Sequence, residues 1–180
     1  MVVLCLQEEA EHDHPHVRLT GWVAASTDGW AFCALGHRHW GRAGAAGLLV
    51  HRRGGAGCEL LLQHRAWWSH HGGTWGTPGG ALHAGERAQD GALREVREEL
   101  GLVSADLVLG ERSVDDHGGW SYTTVIAEPS RVIEISELRL DGESDGVAWV
   151  PLAGLDEVDL HPGFAAALPR LRPLLLPRGD

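Results

Sequence analysis

Apolar positions fall in short runs separated by glycine-rich punctuation. Ala45 to His51 and Glu59 to His64 flank Arg53-Gly54-Gly55-Ala56-Gly57, a pattern that predicts strand, turn, strand. Upstream, Leu19 to Trp40 carries Trp22, Trp30, Phe32, Cys33, Leu35 and Trp40 between turn residues such as Thr27-Asp28-Gly29, which predicts short strands that must pack on something. Residues 1 to about 20 lack a sustained period and read as a loosely held, acidic, histidine-bearing arm. His70 to Gly80 holds five glycines and Pro78, too many breakers for a regular element, and reads as a loop. Arg87 to Leu100 has helical period, no proline, and Gly101 to close it in the left-handed conformation. Further strands are expected at Asp106 to Leu109, Tyr122 to Glu128, Arg131 to Ile135 and Val147 to Val150, then a short turn-helix near Leu152. A last helix, Gly163 to Leu171, is expected to be interrupted at Pro169. No repeat appears, and strands mixed with few helices give an α+β class.

Composition narrows the partners. The 180 residues, 43% apolar and 22% charged, suit one folded domain with room for an N-terminal addition. A net charge of −10 argues against a surface that tracks nucleic-acid phosphates, yet allows a polyanionic small molecule bridged by metal ions. No apolar run is long enough to span a bilayer, and the first residues have no basic stretch ahead of their short apolar run, so the expectation is a cytoplasmic protein without membrane attachment. The three cysteines are odd in number and show no C-x2-C spacing, which fits a reducing compartment.

The helix over Arg87 to Leu100 has an uneven face. At 100° per residue, Glu99 lies about 40° to one side of Glu95 and Glu98 about 60° to the other, while Ala92, Leu93, Val96 and Leu100 occupy a separate arc. Like charges so placed disfavour the helix by a few tenths of a kcal/mol per pair, and only Arg94, four residues before Glu98, offsets this locally. A cation on that stripe relieves the repulsion, and hard Mg²⁺ or Mn²⁺ are the ions that prefer carboxylate oxygen. An isolated E-x-x-E-E is more often a solvated face, so the setting decides.

From Gly80 the chain matches G-x5-E-x7-R-E-U-x-E-E-x-G-U (U, bulky apolar) at Gly80, Glu86, Arg94, Glu95, Val96, Glu98, Glu99, Gly101 and Leu102. This is the Nudix box, and the chain resembles the Nudix hydrolase superfamily. The approach Trp75-Gly76-Thr77-Pro78-Gly79-Gly80 is similar to the W-x-x-P-G-G entry of the MutT-like branch, and Trp149-Val150-Pro151-Leu152 to a late strand end of the family. The resemblance implies an α/β/α sandwich around a mixed sheet, with the box forming loop, helix, loop. It divides the chain into an N-terminal extension with short strands, 1–43, and a hydrolase domain, 44–180.

By the same resemblance, Glu95, Glu98, Glu99 and the Gly79 carbonyl would bind Mg²⁺ or Mn²⁺, and Arg94 would orient the glutamates. The general base is either Glu95 or a residue outside the box, with Glu143 the first candidate and Asp145 the second. The implied reaction is metal-dependent attack of water on a nucleoside diphosphate linked to another group. A MutT-like nucleoside triphosphate pyrophosphohydrolase leads. An ADP-ribose or nucleotide-sugar pyrophosphatase, a non-catalytic nucleotide sensor and an isopentenyl diphosphate isomerase remain as alternatives. The expected partner is a small nucleotide, without a stable nucleic-acid complex, and a homodimer is left open. Trp67, Trp68, Trp120 and Tyr122 sit in or beside loops where a base could stack, although paired Trp residues more often pack. His70-His71 and His12-x-His14-x-His16 read as surface histidines, Cys33-x3-His37-x-His39 as a packed strand edge, and Asp115-Asp116-His117 as a turn.

Overall fold

A computed structural model describes residues 27–55 and 57–175. The acidic arm, Trp22 and the last five residues lie outside that range. The element order is β1 (Trp30–Phe32), β2 (Arg38–Trp40), β3 (Ala45–Gly54), β4 (Gly57–Arg65), β5 (Trp75–Gly76), β6 (Gly79–Ala81), α1 (Ala88–Leu100), β7 (Leu107–Asp116), β8 (Ser121–Pro129), β9 (Ser144–Pro151) and α2 (Pro162–Leu175). Short 3₁₀ turns at Ser104–Asp106, Ile135–Glu137 and Leu152–Glu157 link the later elements. No helix among the described residues is long and apolar enough to cross a membrane.

The main sheet is mixed. Its path runs β5-β4-β3-β8-β7, with β6 added to β3 and β9 to β4. β3 and β8 are parallel, with Ala45 opposite Tyr122 and Val50 opposite Ala127, and every other pairing is antiparallel. The central strands read as continuous apolar runs because both of their faces are covered. Ala46, Leu48, Val50, Leu61, Val125 and Ala127 join Ala92, Val96 and Leu100 of α1 in one core. Leu49, Leu60, Leu62 and Ile126 point the opposite way and meet Phe164, Leu168, Leu171 and Leu175 of α2 in a second. Alternation of period two within the strands thus sorts the side chains into two cores, and the α+β fold is a helix–sheet–helix sandwich. β1 and β2 form a separate two-stranded sheet.

Several sequence expectations need correction. Arg131 to Ile135 is not a strand. Its Val132 side chain is exposed while Ile133 is buried beneath it, and the segment runs on as a connection whose Arg139 N–H reaches the Leu100 carbonyl. His70 to Gly80 is not wholly a loop, because Trp75–Gly76 pairs with β4, and Gly79 and Gly80 open the β6 strand that lies against β3. β7 extends seven residues beyond Leu109 to Asp116, so Asp115 and Asp116 are strand residues and the turn starts at His117. α2 continues through Pro169 and Pro173. Its apolar residues at 164, 168, 171 and 175 anchor it at nearly every turn, which offsets the lost backbone bonds.

Candidate active site

Helix α1 runs from Ala88 to Leu100 and is capped by Gly101, whose φ of 75° is left-handed and whose N–H bonds to the Arg97 carbonyl. Burial of Ala92, Val96 and Leu100 against β3 fixes its rotation, so the opposite edge carries the charged residues. Arg94 is the hub of that edge. Its Nε and Nη2 grip the two oxygens of Glu86 at 2.9 Å each, while Nη1 donates to Glu95 at 2.6 Å and to Glu98 at 3.2 Å. Nη2 also donates to the Ala81 carbonyl at 2.9 Å, tying helix to strand β6. These hydrogen bonds hold the Glu86 carboxyl below its usual pKa and push the guanidinium upward.

Glu99 faces inward. It is 6% exposed, and its carboxylate accepts the Gly79 N–H at 2.8 Å and the Gln63 amide at 3.3 Å. Burial pushes its pKa up to about 8, with the Glu95 charge adding to the rise. Glu95 is also raised, first by burial and against the pull of Arg94. The Gln63 carbonyl oxygen is buried without a partner. A buried acid that cannot ionise cheaply, beside an orphaned amide oxygen, is an all-oxygen donor set short of positive charge.

Backbone glycines let these groups approach. A Cβ at Gly80 would stand 2.7 Å from the Glu95 carboxylate, and one at Gly79 would stand 2.5 Å from the Ala46 carbonyl oxygen. The Tyr122 hydroxyl is wedged beside Gly47 and Gly79 and bonded to Thr77, and its burial pushes its pKa up to about 12.

The structure brings Glu95, Glu98, Glu99, Arg94, Gly79 and Tyr122 together. Glu143 is exposed at the loop before β9, and its carbonyl accepts the Ala66 N–H at 2.9 Å, which joins it to the loop bearing Trp67 and Trp68. Asp141, two residues earlier, bonds through its N–H to the Glu99 carbonyl at 3.3 Å, so this loop rests on the C-terminal end of α1. Trp67 and Trp68 are 81% and 56% exposed. Trp120, expected at a loop where a base could stack, is instead a packing residue. It is buried with Cys33 and Ala45, its indole N–H donates to the Gly41 carbonyl at 2.8 Å, and His39 stacks on its ring. Gln63 and Asp141 were not singled out from the sequence. A lone polar residue inside an otherwise buried strand was the available signal for Gln63. Cys33, His37 and His39 are more than a strand edge, since the fold gathers them with His117.

Comparison with known proteins gives concordant findings. The NUDIX domain model matches residues 41–171. A Mycobacterium tuberculosis (strain ATCC 25618 / H37Rv) protein named "Putative 8-oxo-dGTP diphosphatase 3" is 43% identical over 157 residues, spanning 83% of this chain and 71% of its own length. A nucleoside triphosphate pyrophosphatase/Nudix hydrolase fusion protein of Bifidobacterium longum (strain NCC 2705) is 42% identical over 156 residues, 80% of this chain. The match takes in only 32% of the fusion protein. The crystal structure of a Nudix hydrolase from M. smegmatis, RenU, superposes with a TM-score of 0.72 at 40% identity, covering 82% of this chain and 94% of that one.

Proposed function

The chain belongs to the Nudix hydrolase family, and from that premise we propose that it is a metal-dependent nucleoside triphosphate pyrophosphohydrolase of the MutT-like branch. The observation that carries the reading is Glu99: a carboxyl buried at the junction of α1, β4 and β6, whose burial is costly unless a cation shares the site. The naming of relatives as 8-oxo-dGTP diphosphatases favours oxidised purine nucleoside triphosphates as the first substrates to test.

In this reading Glu95, Glu98 and Glu99, with the Gly79 carbonyl, hold Mg²⁺ or Mn²⁺. Such an ion, when bound, would neutralise charge on the diphosphate and lower the pKa of a water molecule it holds. Arg94 keeps Glu95 and Glu98 in register through the same guanidinium that locks onto Glu86, so the carboxylates need little reorganisation as charge develops. Glu95 or Glu143 accepts the proton of the attacking water. Burial raises the pKa of Glu95, which strengthens it as a base, and Glu143 is exposed on the loop whose Asp141 N–H bonds to the Glu99 carbonyl. Exposed Trp67 and Trp68 supply stacking surface for the base, and Tyr122 buttresses the Gly79 strand from behind. The hydrolase unit is taken as 44–180 with 1–43 an N-terminal extension, acting on free nucleotides in the cytoplasm.

The test is product analysis by chromatography with Mg²⁺ across canonical and oxidised nucleoside triphosphates, ADP-ribose, nucleotide sugars and isopentenyl diphosphate. Monophosphate plus pyrophosphate from a triphosphate supports the proposal. Cleavage confined to ADP-ribose or a nucleotide sugar, or binding without turnover, overturns it. The pH profile of Glu143→Gln at saturating Mg²⁺ then separates the two bases: loss of the acid limb assigns the base to Glu143, and a retained acid limb assigns it to Glu95, which in this reading is also a metal ligand.

A further inference from the structure

We propose that Cys33, His37, His39 and His117 form a tetrahedral Zn²⁺ site, separate from the carboxylate site, that pins the β1–β2 hairpin to the β7–β8 turn. One ligand atom from each of the four lies within 4.8 Å of all the others. Bond lengths of about 2.0–2.1 Å to nitrogen and 2.3 Å to sulfur require ligand separations of about 3.3–3.7 Å, so side-chain adjustments of about an ångström complete the shell.

The backbone has already assembled the cluster. Cys33 N–H bonds to the His37 carbonyl and Gly36 N–H to the Cys33 carbonyl, both at 3.0 Å, making a tight knuckle at left-handed Gly36. His37 and His39 are two residues apart on one extended arm, which puts both on the same face. His117 opens the facing turn, where Gly118 and Gly119 are left-handed and Ala34 N–H bonds to the Gly118 carbonyl at 2.7 Å. A Cβ on Gly118 would lie 2.8 Å from that of Ala34, so the two turns meet closely.

Two observations point to a cation. The His39 Nε2 and His117 Nδ1 atoms are buried without hydrogen-bond partners, a cost that a metal ion removes. The other nitrogen of His117 lies 3.4 Å from Asp115, which Arg170 holds at 2.7 Å, the carboxylate–histidine arrangement that orients metal-binding imidazoles. His39 is held flat against Trp120, with ring centroids 3.9 Å apart. One thiolate and three neutral imidazoles suit borderline-soft Zn²⁺ far better than Mg²⁺. The other histidine group, His70, His71 and His161, has no thiolate and two exposed members. The hairpin also needs a fastening, for two three-residue strands and a turn that expose Phe32, Leu35 and Trp40 are not stable alone. Zinc entry deprotonates Cys33 and releases one proton to solvent.

The test is metal analysis by mass spectrometry of the tag-free full chain, purified without chelator from zinc-supplemented medium and dialysed into Mg²⁺ buffer. About one zinc per chain is expected, falling below about 0.1 in Cys33→Ser and His117→Ala. His161→Ala, Glu98→Gln and a His12/His14/His16→Ala triple variant should keep their zinc. Asp115→Asn should weaken zinc about 10–100-fold in chelator competition. Since a variant that misfolds would also lose metal, the wild-type chain is loaded with Co²⁺ as a second readout. Thiolate-to-cobalt charge transfer with intense four-coordinate d–d bands supports the site. Absence of zinc from the wild type, undiminished zinc in Cys33→Ser, loss of zinc in His161→Ala, or a cobalt spectrum without thiolate bands overturns it.

Discussion

Replacing Glu99 by glutamine should abolish activity and yet stabilise the metal-free protein. The carboxyl has its pKa raised from the ordinary 4.5 to about 8 by burial, so between those values the folded chain holds a proton that the unfolded chain has released. Stability of the metal-free wild type therefore falls as pH rises through that window and levels off above it. At about 1.4 kcal/mol per pH unit the full effect is on the order of 4–5 kcal/mol, an upper figure because the buried site relaxes. Glutamine carries no charge to bury. Its oxygen can still accept the Gly79 N–H, and once the Gln63 amide flips its NH2 can donate to the Gln63 oxygen. The expected gain at pH 8 in EDTA is roughly 2–4 kcal/mol, a melting rise of about 5–15 °C by calorimetry or circular dichroism. At pH 5 the two proteins should differ by less than about 1 kcal/mol. Added Mg²⁺ should raise the melting point of the wild type and leave the variant nearly unmoved. A variant that melts at or below the wild type at pH 8 in EDTA, or whose advantage does not change with pH, refutes the account of Glu99.

Other perturbations read different parts of the site. Arg94→Ala frees Glu86, Glu95 and Glu98 together, and a loss of about 2–4 kcal/mol in denaturant unfolding is expected with turnover abolished; near-native stability would contradict its role as hub. Gly80→Ala places a methyl 2.7 Å from the Glu95 carboxylate, so kcat should fall about 100-fold, and an unchanged kcat would show that Glu95 tolerates displacement. Trp67→Ala and Trp68→Ala remove exposed rings, so KM for a nucleotide should rise by roughly 1–3 kcal/mol in binding while the melting point stays fixed. An unaltered KM in both excludes them from base stacking.

What could be read from the chain follows the range of the forces involved. Helix α1 was legible because its period, the absence of proline and the closing Gly101 are all local. The sandwich was legible from the Nudix-box resemblance and from strands mixed with few helices, and the continuous apolar runs of β3, β4 and β8 agree with cover on both faces. Angles on a helical wheel put Glu99 beside Glu95 and Glu98 but could not reveal that it turns into the fold, where Gln63 and Gly79 meet it from two other elements. Trp120 looked like loop surface until Gly41 and His39, some eighty positions away, were seen to enclose it. Arg131 to Ile135 had a strand's composition, but Ile133 is buried in the α1 core without a neighbouring strand to pair with among the described residues. The grouping of His117 with Cys33 depends on one turn-to-turn backbone bond and leaves no trace in spacing.

The parallel pairing of β3 with β8 also governs when the enzyme comes into being. Ala45 is matched with Tyr122, 77 positions later, and the whole of β6 and α1 lies in the stretch between them. Closing so long a span carries an entropic cost that no local contact repays, which slows folding. During synthesis β4, β6 and the acidic helix, all partners of β3, emerge before β8 does. Gly79 already lies beside Glu99, yet the Tyr122 wedge and the second edge of β3 arrive only with β8. A nascent chain halted before β8 would carry the three helix carboxylates, Glu95, Glu98 and Glu99, and still lack both Glu143 and the wall against which they are set.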